Sequence, residues 1–263
     1  MKKKVLFSLF VLALLAACSE TVFTGRKQMN LIPVSEINQL SFSEYKSFLS
    51  QNKPMTSGPE VEMVRRVGND IKAAVDVYYK AKGLQGDLKN FAWEFNVVDD
   101  PTVNAWCMPG GKVVVYTGIL PVTQDEAGLA VVMGHEIAHA IARHGNERMS
   151  QAIAIQGAGM TLEALTASKP GLTRDLFLQS YGIGSQLGML AYSRKHETEA
   201  DKMGLVFMAM AGYDPRSAPA FWQRMAAGGG AKPPAFLSTH PSDETRVHDL
   251  EAYMPEALKY FKP

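Results

Sequence analysis

One pentad, His135-Glu136-Ile137-Ala138-His139, constrains this chain more than any other run in it. Two histidines four residues apart on an α-helix differ by about 40° around its axis, so both rings can reach one ion. Glu136 lies one step round and can meet a water held by that ion without ligating it. Val131, Val132, Ile137, Ala138 and Ile141 surround the pair with apolar positions, and buried imidazoles need partners. Thr123-Gln124-Asp125-Glu126 reads as a capping box opening this helix, and Gly145 as its stop. None of the six histidines precedes His135, so the titratable rings gather in one half of the chain.

A catalytic zinc takes three protein ligands and keeps one position for water. The third ligand must come from elsewhere, and Ser193-Arg194-Lys195-His196-Glu197-Thr198-Glu199-Ala200-Asp201 offers candidates. Glu197 and Asp201 share a helical face, with Glu199 about 200° round from Glu197. One carboxylate can bind the ion while the other holds a ligand histidine by its second nitrogen. We take Glu197 as the ligand and Asp201 as the orienter. Glu199 then faces solvent or pairs with a cation, and His196 faces solvent. By spacing alone the same stretch also suits a solvated charged face. With zinc in place, bound water loses a proton near neutral pH, and Glu136 is the carboxylate positioned to take it.

At the other end, Lys2, Lys3 and Lys4 precede an apolar run that finishes in Leu15-Ala16-Ala17-Cys18. The run is shorter than the roughly 20 residues a membrane span requires, so residues 1–17 read as a signal peptide. Cysteine directly after Leu-Ala-Ala resembles a bacterial lipobox, which makes Cys18 the acylated residue and a membrane anchor. Ser19 rather than Asp in the next position points to an outer-membrane lipoprotein facing the periplasm. Losing those three lysines takes the formal charge from +1 to −2. No basic field and no phosphate-cradling glycine loop remain to attract nucleic acid. Cys107 has no second cysteine left to pair with in the mature chain and reads as a small buried hydrophobe.

A composition that is 46% hydrophobic and 20% charged excludes a disordered tail or a coiled coil. Residues 18–56 read as a lipidated lead-in that packs only in part, and residues 57–263 as one domain. Ser57-Gly58-Pro59-Glu60 looks like a helix start. Val61, Val64, Val67, Ile71, Val75 and Tyr78 follow on one face, and Gly83 closes the helix. Residues 92–98 are a predicted strand. Residues 104–108 and 112–116 flank Pro109-Gly110-Gly111 as a hairpin. Two apolar helical stretches separated at Lys169-Pro170-Gly171 are expected over 150–192, then a helix from Ser193 to Met210. A flexible loop over 228–234 and a short terminal helix complete an α+β chain that is mostly helical.

Three separated motifs carry a resemblance: Gly134 to His139, Ser193-Arg194 with Glu197 to Asp201, and Asn104-Ala105-Trp106-Cys107-Met108-Pro109-Gly110-Gly111. Together they resemble the HtpX/CAAX-prenyl-protease family of zinc metallopeptidases, most closely its soluble periplasmic branch, over residues 57–250. The resemblance implies a gluzincin-type fold with a small sheet beside the cleft. It also implies one Zn²⁺ per chain on His135, His139 and Glu197. Ser238 to Arg246 resembles the family too. There His240 would donate to the oxyanion or occupy the open zinc position, and Arg246 would stabilise developing negative charge or hold a substrate carbonyl. The hairpin edge, with Asn104, Ala105, Trp106, Cys107 and Met108, would line the cleft and bind an extended peptide; the alternative is an interior core hairpin. The implied activity is endoproteolysis of misfolded or envelope proteins, with envelope-assembly or quality-control partners. A second reading is a chaperone-like or scaffold lipoprotein whose zinc is structural and capped by His240. His144 and His248 are assigned no role beyond structure.

Overall fold

A computed structural model describes residues 18–156, 170–181, 192–228, 234–240 and 244–262. Strands β1 (Cys18–Glu20) and β2 (Lys27–Met29) form an antiparallel ribbon. Helices α1 (Val34–Gln51) and α2 (Pro59–Ala81) follow. A three-stranded sheet comes next, from β3 (Glu94–Val98), β4 (Ala105–Met108) and β5 (Lys112–Tyr116). Its order is β3-β5-β4, with β3 parallel and β4 antiparallel to the central strand. Among the described residues, a single helical turn (Leu120–Thr123) is followed by α3 (Glu126–Ile141), α4 (His144–Gln156), α5 (Pro170–Ser180), α6 (Arg194–Met210), α7 (Ser217–Ala227), α8 (Ala235–Thr239) and α9 (Glu244–Ala257). The expected class, α+β and mostly helical, is the observed one.

The apolar stripe of α2 is buried along its length, from Val61 to Tyr78. Its N-cap falls on Gly58 and not on Ser57, with Pro59 in the first turn, where a missing N–H loses nothing. Every residue of α3 from Gly128 to Ile141 is buried. A helix apolar on all sides belongs at the centre of a fold, and α2, α6 and β4 pack around this one. The sheet is covered on both faces, as period-2 alternation dictates. Ala105, Cys107, Val113 and Val115 join the α2–α3 core. Trp106, Met108 and Val114 join a second cluster with Ile32, Ile37 and Tyr45 from the N-terminal segment.

Pro170 begins α5 instead of belonging to a loop, and the terminal helix runs for 14 residues. The rest of the expected apolar stretches lie outside the described residues, as do residues 1–17 and most of the loop expected over 228–234. Among the described residues, no helix is long and apolar enough to cross a membrane.

Candidate metal centre

Two helices and their crossing build the site. Helix α3 is capped by Asp125, whose side chain accepts from Gly128 N at 2.7 Å. Thr123, the expected cap, ends a preceding helical turn, Leu120–Thr123. The helix stops at Ile141 because Arg143 turns into the left-handed region at φ 60°. Gly145, expected as the stop, lies inside α4 and serves packing: a Cβ there would meet the Tyr181 ring at 2.1 Å. Ser193 caps α6 through His196 N at 3.3 Å, placing Glu197 in the first turn and Asp201 one turn later. The two helices cross where Gly134 faces Gly204. A Cβ on Gly204 would sit 3.0 Å from His135 N, so the absence of side chains lets Glu197 reach the histidine pair.

The donors converge. His135 Nε2 and His139 Nε2 are 3.0 Å apart. Glu197 Oε2 lies 3.5 Å from the first and Oε1 3.4 Å from the second. His240 Nδ1 is 3.1 Å from His135 Nε2 and 3.2 Å from Glu197 Oε1. One atom from each of these four buried residues falls within 4.8 Å of all the others. Ligand atoms about 2.0–2.1 Å from a tetrahedral zinc are about 3.3 Å apart, so the cluster has the right size for one ion. Asp201 Oδ1 accepts from His135 Nδ1 at 2.8 Å, which leaves the Nε2 of a neutral ring as a bare lone pair. Glu197 Oε2 has an ion pair, to Arg246 Nη1 at 3.0 Å, on one side and faces the histidine pair on the other. Lone pairs and a carboxylate facing one another require a cation, and imidazoles with a carboxylate suit zinc.

Charge follows the same logic. Burial disfavours a cation at His135, yet Asp201 and Glu197 outweigh it and raise the ring to about 9. Burial, with His135 alongside, holds His139 well below the usual histidine range. Glu197 is held far down despite its burial, by His240, Arg246 and His135. Burial raises Glu136; its Oε1 has no hydrogen bond and lies 3.4 Å from His240 Nε2.

The late histidine and arginine both reach the cluster. His240 is held between the Phe236 ring at 4.5 Å and the Tyr192 ring at 5.0 Å. Arg246 donates to Asp201 Oδ1 at 2.6 Å, approaches Glu197 Oε2 at 3.0 Å and stacks over Trp222 at 3.3 Å. It therefore backs the two carboxylates. A groove of about 570 Å³ opens between α6 and α9, with Glu197, Asp201 and Arg246 in its wall but neither His135 nor His139.

The hairpin is interior by its faces and an edge by its strand. Ala105, Trp106, Cys107 and Met108 are buried, whereas β4 is the outer strand beside α3. Asn104 accepts from Ala105 N through its side chain. Burial, reinforced by Glu136, keeps the Cys107 thiol well above its usual range, which makes it an inert hydrophobe.

Several side chains depart from expectation. His196 is buried, not solvated, because Glu147 Oε2 takes its Nε2 at 3.0 Å. Glu199 takes the second of its two expected states, paired with a cation, Arg26, and is buried. His144, given no role by the sequence reading, meets His139 Nδ1 with its own Nδ1 at 2.9 Å. His248 is exposed.

Residues 67–254 match Peptidase family M48. The chain is 43% identical over 174 residues to the mitochondrial metalloendopeptidase OMA1 of Schizosaccharomyces pombe, covering 65% of this chain and 49% of that protein. It is 32% identical to the human metalloendopeptidase OMA1, mitochondrial, over 95% of this chain and 48% of that protein. The beta-barrel assembly-enhancing protease of Escherichia coli is 28% identical over 60% of this chain and 33% of its own length. The chain spans about half the length of the curated relatives it matches. These relatives correct the expected address, an outer-membrane lipoprotein facing the periplasm. Enzymes of yeast, plant and vertebrates that match most of the chain are mitochondrial by name, and a short leader motif does not outweigh a likeness of that extent. With the zinc-type donor set on α3 and α6 and this match across most of its length, the chain belongs to Peptidase family M48.

Proposed function

We propose that the chain cleaves internal peptide bonds of proteins, with residues 57–263 as the catalytic unit and Glu136 as general base. The observation that carries this reading is the convergence of His135 Nε2, His139 Nε2 and the Glu197 carboxylate beside an unpartnered, buried Glu136 Oε1. His135, His139 and Glu197 hold one zinc, and Asp201 orients His135. Zinc at such a site supplies Lewis acidity to the scissile carbonyl and makes water a better acid. Glu136 takes the proton at Oε1 and passes it to the leaving amine; its burial raises its affinity for that proton, as the role requires. Arg246 keeps Glu197 and Asp201 charged and in place. A substrate strand would add to the β4 edge through its backbone, since the side chains of residues 105–108 point into the two cores. The order of the motifs supports the HtpX/CAAX-prenyl-protease branch. The name of the E. coli relative, a beta-barrel assembly-enhancing protease, supports partners in envelope assembly; the substrates proposed are misfolded or envelope proteins. Acylation of Cys18 would attach the chain to a membrane.

The test is Glu136→Gln, expected to retain zinc and lose casein cleavage by at least a thousandfold. Cleavage that survives in a clean preparation rejects the mechanism. A second reading, a chaperone-like or scaffold protein with a capped site, is favoured by one observation: His240 occupies the space facing His135, Glu197 and Glu136. His240→Ala is expected to raise cleavage if that residue is a plug at rest. Unchanged cleavage with intact zinc removes the plug.

A further inference from the structure

We propose that His144 and Glu199 are positioning residues for the metal ligand His139, anchored by the turn over residues 21–26. The inference rests on the zinc reading above but concerns residues which that reading leaves without a role.

Glu199 receives three donors from one turn of chain near the N-terminus: Thr21 Oγ1, Thr24 Oγ1 and Arg26 Nε. That turn is closed by its own backbone, Thr21 N to Arg26 O and Gly25 N to Thr21 O, both at 2.9 Å. Arg26 is fixed from its other side by Glu147, with Nη2 to Oε2 at 2.8 Å. A carboxylate taking so many donors is ionised and acts only as an acceptor. His144 Nε2, 3.1 Å from Glu199 Oε2, must therefore carry a hydrogen. A neutral His144 then has a lone pair on Nδ1, 2.9 Å from His139 Nδ1. Only one assignment satisfies that contact: His139 Nδ1 donates, and its Nε2 is left bare toward His135 and Glu197. The helix break at Arg143 makes the contact possible. Had α3 continued, His144 would point about 140° round from His139. His144, Glu199, His139 and the Thr21 side chain are all buried, so water does not readily substitute for a missing link. An outer partner on a ligand histidine sets both tautomer and ring angle. Here that partner is a second imidazole, held by a carboxylate that is itself fixed by residues more than 170 positions before it in sequence.

The test uses the full chain labelled with ¹⁵N-histidine. In metal-free wild type, long-range ¹H–¹⁵N spectra are expected to show His139 as the Nδ1–H tautomer. In His144→Phe that preference should be lost, and the zinc Kd from chelator competition should rise about 10–100-fold. His144→Gln, which keeps an acceptor and a donor, should recover most of the affinity. Arg26→Met, far from the ion, should weaken zinc several-fold. A wild-type His139 protonated at Nε2 overturns the proposal. So does a His144→Phe chain that melts like wild type and binds zinc within twofold of it. If His144→Phe does not fold, the wild-type spectrum and Arg26→Met decide. A wild-type chain that binds no zinc overturns the metal site and this inference together, whereas equal binding by wild type and His144→Phe overturns only this one.

Discussion

The two histidines of α3 are gripped in different ways. His135 meets a carboxylate directly: Asp201, one turn after Glu197, with Arg246 behind it. His139 is reached through an imidazole, then a carboxylate, then a turn from the far end of the chain. Both arrangements meet the same need, a bare Nε2 aimed at one point. Where a neighbouring helix already carries an acid at the right register, one residue suffices. On the other side, α3 must break at Arg143 and fold His144 back, and the acid it meets has to be held by the N-terminal ribbon. One grip is compact and belongs to the C-terminal half. The other ties the N-terminal turn to the same site.

The comparison can be broken most forcefully at Asp201. Asp201→Ala leaves His135 without its acceptor and leaves the buried Arg246 with Glu197 alone. A loss of about 3 kcal/mol is expected, at the lower end for a broken buried ion pair because Glu197 remains, with zinc weakened more than tenfold. Urea melts and chelator competition measure both. If Asp201→Ala weakens zinc no more than Arg26→Met does, the direct grip has no advantage over the relayed one. Gly204→Ala comes next. A methyl 3.0 Å from His135 N must push α6 from α3, at roughly 1–3 kcal/mol. It should disturb both grips together, since each depends on the crossing. Zinc affinity that is unchanged alongside a lowered Tm would show that the crossing stabilises the fold without setting the site.

Legibility divides along the same line. The histidine pair was expected from helical spacing, whereas Glu197 and Asp201 were candidates that spacing left open and the family resemblance picked out; the structure brings all four together. The α2 stripe and the hairpin were readable for equally local reasons. The break at Arg143 was not, because arginine is a good helix former and nothing beside it signals a left-handed turn. Without that break, His144 has no reason to touch His139. Glu199 and His196 look like solvated positions on a charged helix until Arg26 and Glu147 arrive from other segments. The cap shifted from Thr123 to Asp125 because the chain makes an extra helical turn just before α3. Spacing reports what one element carries, and it is silent on what two distant elements bury together.

The smallest expected effect concerns acid. Glu147 is held down to about 2: burial would raise it, but hydrogen bonds from His196 and Arg26 prevail. Glu199 is lowered as well, against its own burial, by His144, Thr21, Thr24 and Arg26. Both groups bind protons more readily in the unfolded chain, near the ordinary glutamate value of about 4.3. Between that value and about 2 the unfolded state therefore holds more protons, and stability falls as the pH is lowered. The contribution is complete above the unfolded value and is lost as the pH falls through the folded one. Arg26→Met removes the cation shared by the two carboxylates, so it should lower stability at pH 7 and flatten the decline between pH 5 and pH 2.5. Arg26 is partly open to solvent, and screening keeps the difference to about 1 kcal/mol. Thermal melts across that range, at low and high salt, measure it. Asp201→Ala should leave this part of the profile as steep as in wild type, because its partners are on the other side of the pair. Equal flattening by both variants would mean that the two grips titrate as one network and that the division drawn between them is artificial.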